Sequence, residues 1–191
     1  MLQEVLRASV TLFVVLDVVG LIPIYIALVK SSSNKVMDLH AKRTTLFSSL
    51  LLFLFLFFGA AILNYFSISI SDFKIAGGII LIIIGIKFVL GLRVLNSNKY
   101  EKHNFAVVPF AMPLLVGPGT ITTTIILVEK YGYIIPSIAA IINLALVWFF
   151  LKNSRRVYKV LGNQGSDVLT RIMGLLITAI AVKFIREGFL I

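Results

Sequence analysis

A single carboxylate, Asp17, interrupts an apolar run that extends from residue 8 to residue 29. At the centre of a membrane helix such a charge costs roughly 2.5–3.5 kcal/mol on insertion scales, so it is expected to face a cavity or a partner. In that position a carboxylate can carry a proton, hold a cation or bind the ammonium group of a substrate. A neutral Asp17 that hydrogen-bonds backbone freed at Gly20 is the structural alternative. The sequence leaves these roles open.

Helix breakers lie in the middle of two apolar runs. Gly117-Pro118-Gly119 divides the run from 105 to 129, and Gly20 with Pro23 occupies the matching place in the first run. Proline lacks a backbone N–H and glycine weakens a helix. Backbone groups freed inside hydrocarbon cost several kcal/mol each unless protein or cavity water satisfies them. Paired breaks therefore predict a polar cavity near the membrane midplane, whereas kinks that only shape packing are the alternative.

The residues after the second break suit a negatively charged ligand. A half-helix that begins there directs unpaired N–H groups and the positive end of its dipole into the cavity, which favours a carboxylate. Asn143, in the middle of a later run, can line this cavity or cross-link helices. No nucleophile–base arrangement or metal-ligand spacing occurs in the runs, so neither an enzyme nor a cofactor or metal is expected. The threonines that can add hydroxyl donors or an N-cap are Thr120, Thr122, Thr123 and Thr124.

The elements that position these residues are membrane spans. The 191 residues are 59% hydrophobic and 14% charged, with a mean hydropathy of +1.03, which leaves too little polar surface for a soluble domain. Each apolar stretch approaches or exceeds the roughly 20 residues needed to cross a bilayer, so an all-α polytopic membrane protein is predicted. The first run is too long for a signal-peptide core and is expected to be a retained span. The six predicted spans are 8–29, 43–64, 73–92, 105–129, 133–151 and 168–188.

Basic residues divide the connections into two classes. By the positive-inside rule the richer side is cytoplasmic, so both termini are expected outside a cell membrane, and the net charge of +10 needs no nucleic acid to explain it. His40 and His103 fall in cytoplasmic connections and are expected to be solvated, whereas Lys87 and Lys183 near span ends are expected to snorkel to the interface. Eleven basic residues follow spans one, three and five: Lys30, Lys35, Lys42, Arg43, Arg93, Lys99, Lys102, Lys152, Arg155, Arg156 and Lys159. Four lie on the opposite side: Arg7, Lys74, Lys130 and Arg186.

The two halves of the chain are similar to each other. With a shift of 96 residues, Lys87-Phe88 aligns with Lys183-Phe184 and span three aligns with span six. Three spans in each half, residues 1–95 and 96–191, would place the halves in opposite orientations, as in the inverted repeats of secondary transporters. Small residues in both halves predict close helix packing, and glycines without such a partner are the alternative. These small residues are Gly78, Gly85, Gly174 and Ala181.

Four segments resemble the MarC/SnatA family of six-span membrane proteins. They are LDVVGLIPIYIAL (16–28), DFKIAGGIILIIIGIKF (72–88), FAVVPFAMPLLVGPGTITTTIIL (105–127) and RIMGLLITAIAVKFI (171–185). The resemblance covers nearly the whole chain, and the P-L-L-x-G-P-G stretch is its most specific part. It implies a transporter of small neutral amino acids such as glycine and alanine, driven by protons. The family's first break usually reads Asn-Pro-x-Gly, whereas this chain has Asp17-Val18-Val19-Gly20, so the substrate contacts and the coupling ion do not carry over directly.

These features together predict a secondary transporter that works by alternating access, with spans one and four discontinuous. The substrate is a small neutral amino acid whose carboxylate rests on N–H groups after Gly117 and whose ammonium faces Asp17. A proton or a sodium ion bound at Asp17 drives the cycle. A channel or exporter for another small solute and a non-transporting membrane scaffold are the alternatives, and a homo-oligomer is left open. The predicted substrate-binding residues are Asp17, Gly20, Pro23, Gly117, Pro118, Gly119, Thr120, Thr123 and Asn143.

Overall fold

The computed structural model describes residues 1–17, 21–22, 25–26, 34–92 and 106–190, and within them all regular structure is helical. The expected all-helical fold is therefore confirmed for the described part of the chain. The helices are α1 (Leu2–Leu16), α2 (Asn34–Tyr65), α3 (Ile70–Val89), α4 (Pro118–Tyr131) and α5 (Ile134–Phe189), and a π-helical segment, Ala106–Leu115, precedes α4.

α5 contains a bend at Gly162, whose φ of 66° and ψ of −174° are not helical. Glycine reaches positive φ at little cost. We call the apolar parts on either side α5N (Ile134–Ser154) and α5C (Asp167–Phe189); they correspond to predicted spans five and six. The stretch between them, expected to be a connection, is helical apart from Gly162.

Among the described residues, three helices are long and apolar enough to cross a membrane: Lys35–Tyr65 of α2, α5N and α5C. Large apolar side chains on their outer faces are exposed, such as Leu46 at 68%, Phe58 at 60% and Leu175 at 59%. Soluble proteins rarely expose apolar surface on this scale. These faces therefore meet lipid, as expected of an integral membrane protein.

α3 and α5C pack against each other through small residues. A Cβ atom added to Gly78 would lie 2.8 Å from the carbonyl oxygen of Ala181, and one added to Gly85 would lie 2.9 Å from that of Gly174. The helices are antiparallel, because the partner's number falls as the α3 number rises. Backbones in membrane proteins approach this closely where the facing residues are small.

Two of the clusters that buried apolar side chains form among the described residues meet at the start of α4. Leu115 belongs to one cluster and its neighbour Val116 to the other, so the boundary between them lies at the break. The central cluster contains Leu16, Leu21, Ala41, Leu81, Leu115, Val147, Leu151 and Ile177. The lateral cluster contains Leu52, Leu56, Val116, Ile121, Ile125 and Leu144.

Candidate functional site

The first of two helix breaks lies at the end of α1. Asp17 has a left-handed backbone conformation, with φ 42° and ψ 43°, and its N–H donates to the carbonyl oxygen of Phe13 over 3.2 Å. Aspartate tolerates this conformation better than most residues that carry a Cβ. A negative charge at the negative end of a helix dipole does not stabilise the helix. The helix dipole at the end of α1 therefore does not favour a carboxylate at this position.

The second break lies between the π-helical segment and α4. Gly117 is the N-cap of α4 and Pro118 is its first residue, a position where the missing N–H of proline costs nothing. The first hydrogen bond within α4 runs from the N–H of Ile121 to the carbonyl oxygen of Gly117 over 3.0 Å. The N–H groups of Gly119 and Thr120 precede that bond, so they have no acceptor within the helix. They form the positive end of the α4 dipole.

Close packing around the second break requires its glycines. A Cβ atom added to Gly117 would overlap the carbonyl oxygen of Pro113, which is backbone and cannot move aside. A Cβ atom added to Gly119 would overlap the ring of Phe184 on α5C. The start of α4 is thus held between the π-helical segment and α5C.

The two breaks line one cavity of about 50 Å³. Roughly 10–15 Å³ of such volume holds one water molecule, so the cavity has room for a few waters or for a solute with few non-hydrogen atoms. Asp17, Gly117, Gly119 and Thr120 are the lining residues that bring charge or helix-terminal backbone to it. The remaining lining is Val15, Leu21, Leu81, Pro113, Leu114, Ile177, Ile180 and Phe184.

Thr120, which lines the cavity, also closes the second break with its side chain. Its hydroxyl is buried and donates to the carbonyl oxygen of Leu115 over 3.0 Å. That bond satisfies a carbonyl left over at the end of the π-helical segment. The hydroxyl proton is therefore engaged, whereas the Thr120 N–H points out of the start of α4.

The other predicted substrate-binding residues lie elsewhere. Pro118 packs against Gly77 of α3, and Thr123 is half-buried outside the cavity lining. The Asn143 side-chain amide is buried in α5N and donates to the carbonyl oxygens of Ser9, over 3.1 Å, and Ala139, over 2.8 Å. It therefore cross-links α1 with α5N, which is one of the two roles considered for it. Gly20 and Pro23 lie outside the described residues.

The apolar wall of the cavity was not anticipated. Ile177, Ile180 and Phe184 lie at helical spacing on α5C and face Leu81 of α3 across the cavity. The match between Lys87-Phe88 and Lys183-Phe184 was the available signal. It marked Phe184 as a repeated position, but Phe88 lies in the central cluster and only Phe184 meets the start of α4.

An ion-pair group between α3 and α5C was also missed. The Lys74 Nζ atom lies 3.1 Å from the Glu187 Oε2 atom, and the Lys183 Nζ atom lies 3.6 Å from Oε1 of the same carboxylate. Lys74 is largely buried, with 15% of its side chain exposed, whereas Lys183 is 60% exposed. Lys183 was expected to snorkel; it reaches Glu187 one helical turn away.

The expectation that His40 is solvated is wrong. α2 begins at Asn34, so His40 lies in the second turn of a long helix, and its side chain is fully buried. The polar start of α2 had suggested a loop, yet these residues are helical and their inner face packs against the bundle. His103 lies outside the described residues.

Comparison with known proteins matches residues 2–190 with a family described as MarC family integral membrane protein. A UPF0056 membrane protein of Archaeoglobus fulgidus is 36% identical over 188 residues, which cover 93% of this chain and 88% of that protein. A UPF0056 membrane protein of Methanocaldococcus jannaschii is 35% identical over 197 residues, or 98% and 96% of the two chains. The UPF0056 membrane protein YhcE of Escherichia coli is 35% identical over 188 residues, or 93% and 87%. No solved structure matches the chain.

Proposed function

The chain belongs to the MarC family of integral membrane proteins, and we propose that it is a secondary active transporter of small neutral amino acids of the glycine and alanine type. One observation carries the proposal: Asp17 and the N-terminal end of α4 line the same small cavity. A carboxylate and a positive helix end around one volume complement the two charged ends of a zwitterion. A solute with a single charge would use only one of them.

The substrate carboxylate binds at the start of α4. The N–H groups of Gly119 and Thr120 supply two donors there, and the helix dipole favours a negative charge at this end. Both donors are backbone groups fixed by the packing of Gly117 and Gly119, so little ordering is needed when the substrate arrives.

The substrate ammonium binds at Asp17, which is also the proposed site of the coupling cation. A proton and the substrate ammonium cannot occupy the Asp17 carboxylate at the same time. Mutually exclusive binding of this kind suits a transporter that exchanges protons for substrate across the membrane. A sodium ion shared between Asp17 and the substrate carboxylate would instead favour joint transport. The ion dependence of uptake distinguishes the two.

The walls of the cavity select a small, uncharged side chain. Leu81, Ile177 and Phe184 leave a side chain in this space no polar partner, and burying an unpaired polar group costs about 1–3 kcal/mol. The volume of about 50 Å³ disfavours large side chains. Glycine and alanine meet both conditions.

The proposed architecture has six spans arranged as two inverted repeats, residues 1–95 and 96–191, with both termini outside the cell membrane. The packing of α3 on α5C supports the repeat. A shift of 96 residues carries Gly78 to Gly174 and Ala181 to Gly85, so the Gly78–Ala181 contact becomes the Gly85–Gly174 contact. Rocking of one repeat against the other about this contact would expose the cavity to each side in turn.

Uptake into proteoliposomes tests the function. Purified protein is reconstituted and uptake of labelled glycine or alanine is measured under an imposed proton or sodium gradient. Saturable, gradient-dependent uptake is expected; Asp17→Asn should abolish it, and the control Thr123→Ser, outside the cavity, should retain it. Flux that rises linearly with concentration would identify a channel instead, and no flux through a folded protein would favour a scaffold.

A further inference from the structure

The inner face of α2 carries a polar row outside the cavity described above. His40, Thr44 and Ser48 are all fully buried, with 0% of each residue exposed. Intervals of four residues place them on one face of the helix. Polar side chains within membrane spans are costly and usually mark a path or a partner. The row extends over two helical turns, about 12 Å.

Along α2 the row lies between a residue of the central cluster and a residue of the lateral cluster. Ala41, the neighbour of His40, packs in the central cluster, which supplies apolar wall to the cavity. Leu52, one turn beyond Ser48, packs in the lateral cluster with Val116, the residue before the second break. Apolar packing is thus interrupted along this face between Ala41 and Leu52.

α2 contacts both elements that meet at the second break, α4 and the π-helical segment. Gly59 of α2 contacts Ile125 of α4, since a Cβ atom added to Gly59 would lie 2.9 Å from the Ile125 Cγ1 atom. α2 also contacts the π-helical segment that precedes α4. Pro113 and Leu114 of that segment line the cavity, so α2 packs beside an element that forms part of the cavity wall.

The Ser48 hydroxyl needs a hydrogen-bond partner that the described residues do not supply. Its oxygen is buried and has no hydrogen-bond partner among the residues that the structure describes. A helical serine can donate to the carbonyl four residues back, as Ser49 does to Thr45 over 2.7 Å. Ser48 makes no such bond among those residues, and a buried hydroxyl left unpaired is destabilising. Water or the polar end of a solute can meet this need.

We propose that His40, Thr44 and Ser48 form the wall of an aqueous path that leads from the end of the bundle where α2 begins to the cavity. Each side chain can both donate and accept hydrogen bonds. Successive members stand about 6 Å apart along the helix, so water and a polar solute can pass from one to the next. The path is closed in this structure, and the charge distribution puts its mouth on the cytoplasmic side. Its role as a substrate route rests on the proposed transport function.

Cysteine labelling tests the path directly. The chain contains no cysteine, so Thr44→Cys and Ser48→Cys each introduce a single reporter into an otherwise native protein. The reagent is a small, water-soluble methanethiosulfonate added to membrane vesicles whose cytoplasmic face is outward. Only a thiolate reacts, and a thiolate forms where water reaches it. Labelling is expected to be at least about tenfold faster than at two control positions, Leu52→Cys and Leu50→Cys.

The two controls distinguish access of water to the row from burial in apolar surroundings and from exposure to lipid. Leu52 continues the same helical face and is fully buried in apolar surroundings, whereas Leu50 is 63% exposed on the lipid side. Rates at Thr44→Cys and Ser48→Cys no higher than at Leu52→Cys would overturn the proposal. Thermal unfolding confirms that each variant is folded, and His40→Cys supplies a third reporter if one of the others is not.

The labelling result is independent of transport. Fast labelling in a protein that takes up no amino acid would retain the aqueous path and remove the transport function. Saturable uptake without labelling of the row would retain the transporter and remove the path.

Discussion

The ring of Pro118 lies directly against Gly77 of α3: a Cβ atom added to Gly77 would lie 2.6 Å from the Cβ atom of Pro118. The proline that begins α4 is therefore seated on the opposite half of the chain. This contact explains why Pro118 belongs to the break but does not line the cavity. Its position fixes where the N–H groups of Gly119 and Thr120 stand relative to Asp17.

Gly77→Ala should destabilise the protein. The added methyl group meets a rigid ring, and overpacking of this kind typically costs 1–3 kcal/mol, so we expect a loss of about that size. Thermal unfolding in detergent measures it. Ala76→Val changes the exposed neighbour and should leave the unfolding temperature nearly unaltered; an equal effect of both changes would contradict the role given to the Pro118 contact.

Gly85→Ala and Gly174→Ala should have similar effects on stability. Cβ atoms added at these positions would lie 2.9 Å from the carbonyl oxygens of Gly174 and Gly85, respectively. If an inverted repeat relates α3 and α5C, each change obstructs the same helix contact from opposite sides. We expect losses of about 1–3 kcal/mol in each case. A large effect from one change alone would argue against the proposed symmetry.

Glycine or alanine should raise the unfolding temperature of the purified protein, and Asp17→Asn should weaken this effect. A ligand at 100 times its Kd stabilises the folded state by about 2.7 kcal/mol. Thermal unfolding against a panel of small solutes detects such a change. Stabilisation only by solutes without an ammonium group would remove Asp17 from the substrate site.

Lys74→Met should destabilise the protein more than Lys183→Met. Lys74 is the less exposed partner of Glu187, at 15% against 60%, and its loss leaves the carboxylate without its closer counter-charge. Exposed ion pairs contribute about 0–1 kcal/mol, so the Lys183 change should fall within that range. A double-mutant cycle with Glu187→Gln isolates each pair. Equal coupling energies would show that burial does not set the strength of the Lys74 pair.

Apolar length located several elements correctly because the bilayer sets a minimum length for a span. α5C, Asp167–Phe189, lies within one residue of the predicted 168–188 at each end. The second break was also correctly placed, since Pro118 lacks a backbone N–H and a helix can begin with it. α1 ends at Leu16, before Gly20, because the backbone leaves the helix at Asp17. The sequence shows which residues weaken a helix, but packing determines the residue at which the helix ends.

Contacts between distant parts of the chain could not be read from one sequence. Lys74 and Glu187 are 113 positions apart, and nothing local pairs them. The polar residues at the start of α2 indicate a loop by composition, yet they are helical and His40 on their inner face is buried. The sequence leaves Asn143 as either a cavity residue or a cross-link between helices, and only the packing of α1 on α5N decides for the cross-link.

Proline at the first position of α4 also sets the number of donors. Of the three helical residues that precede Ile121, Pro118 has no N–H, so these residues offer two donors, on Gly119 and Thr120. A carboxylate has two oxygens and each can take one of these donors. The proline at the break thereby leaves the first turn of α4 with as many helical donors as a carboxylate has oxygens.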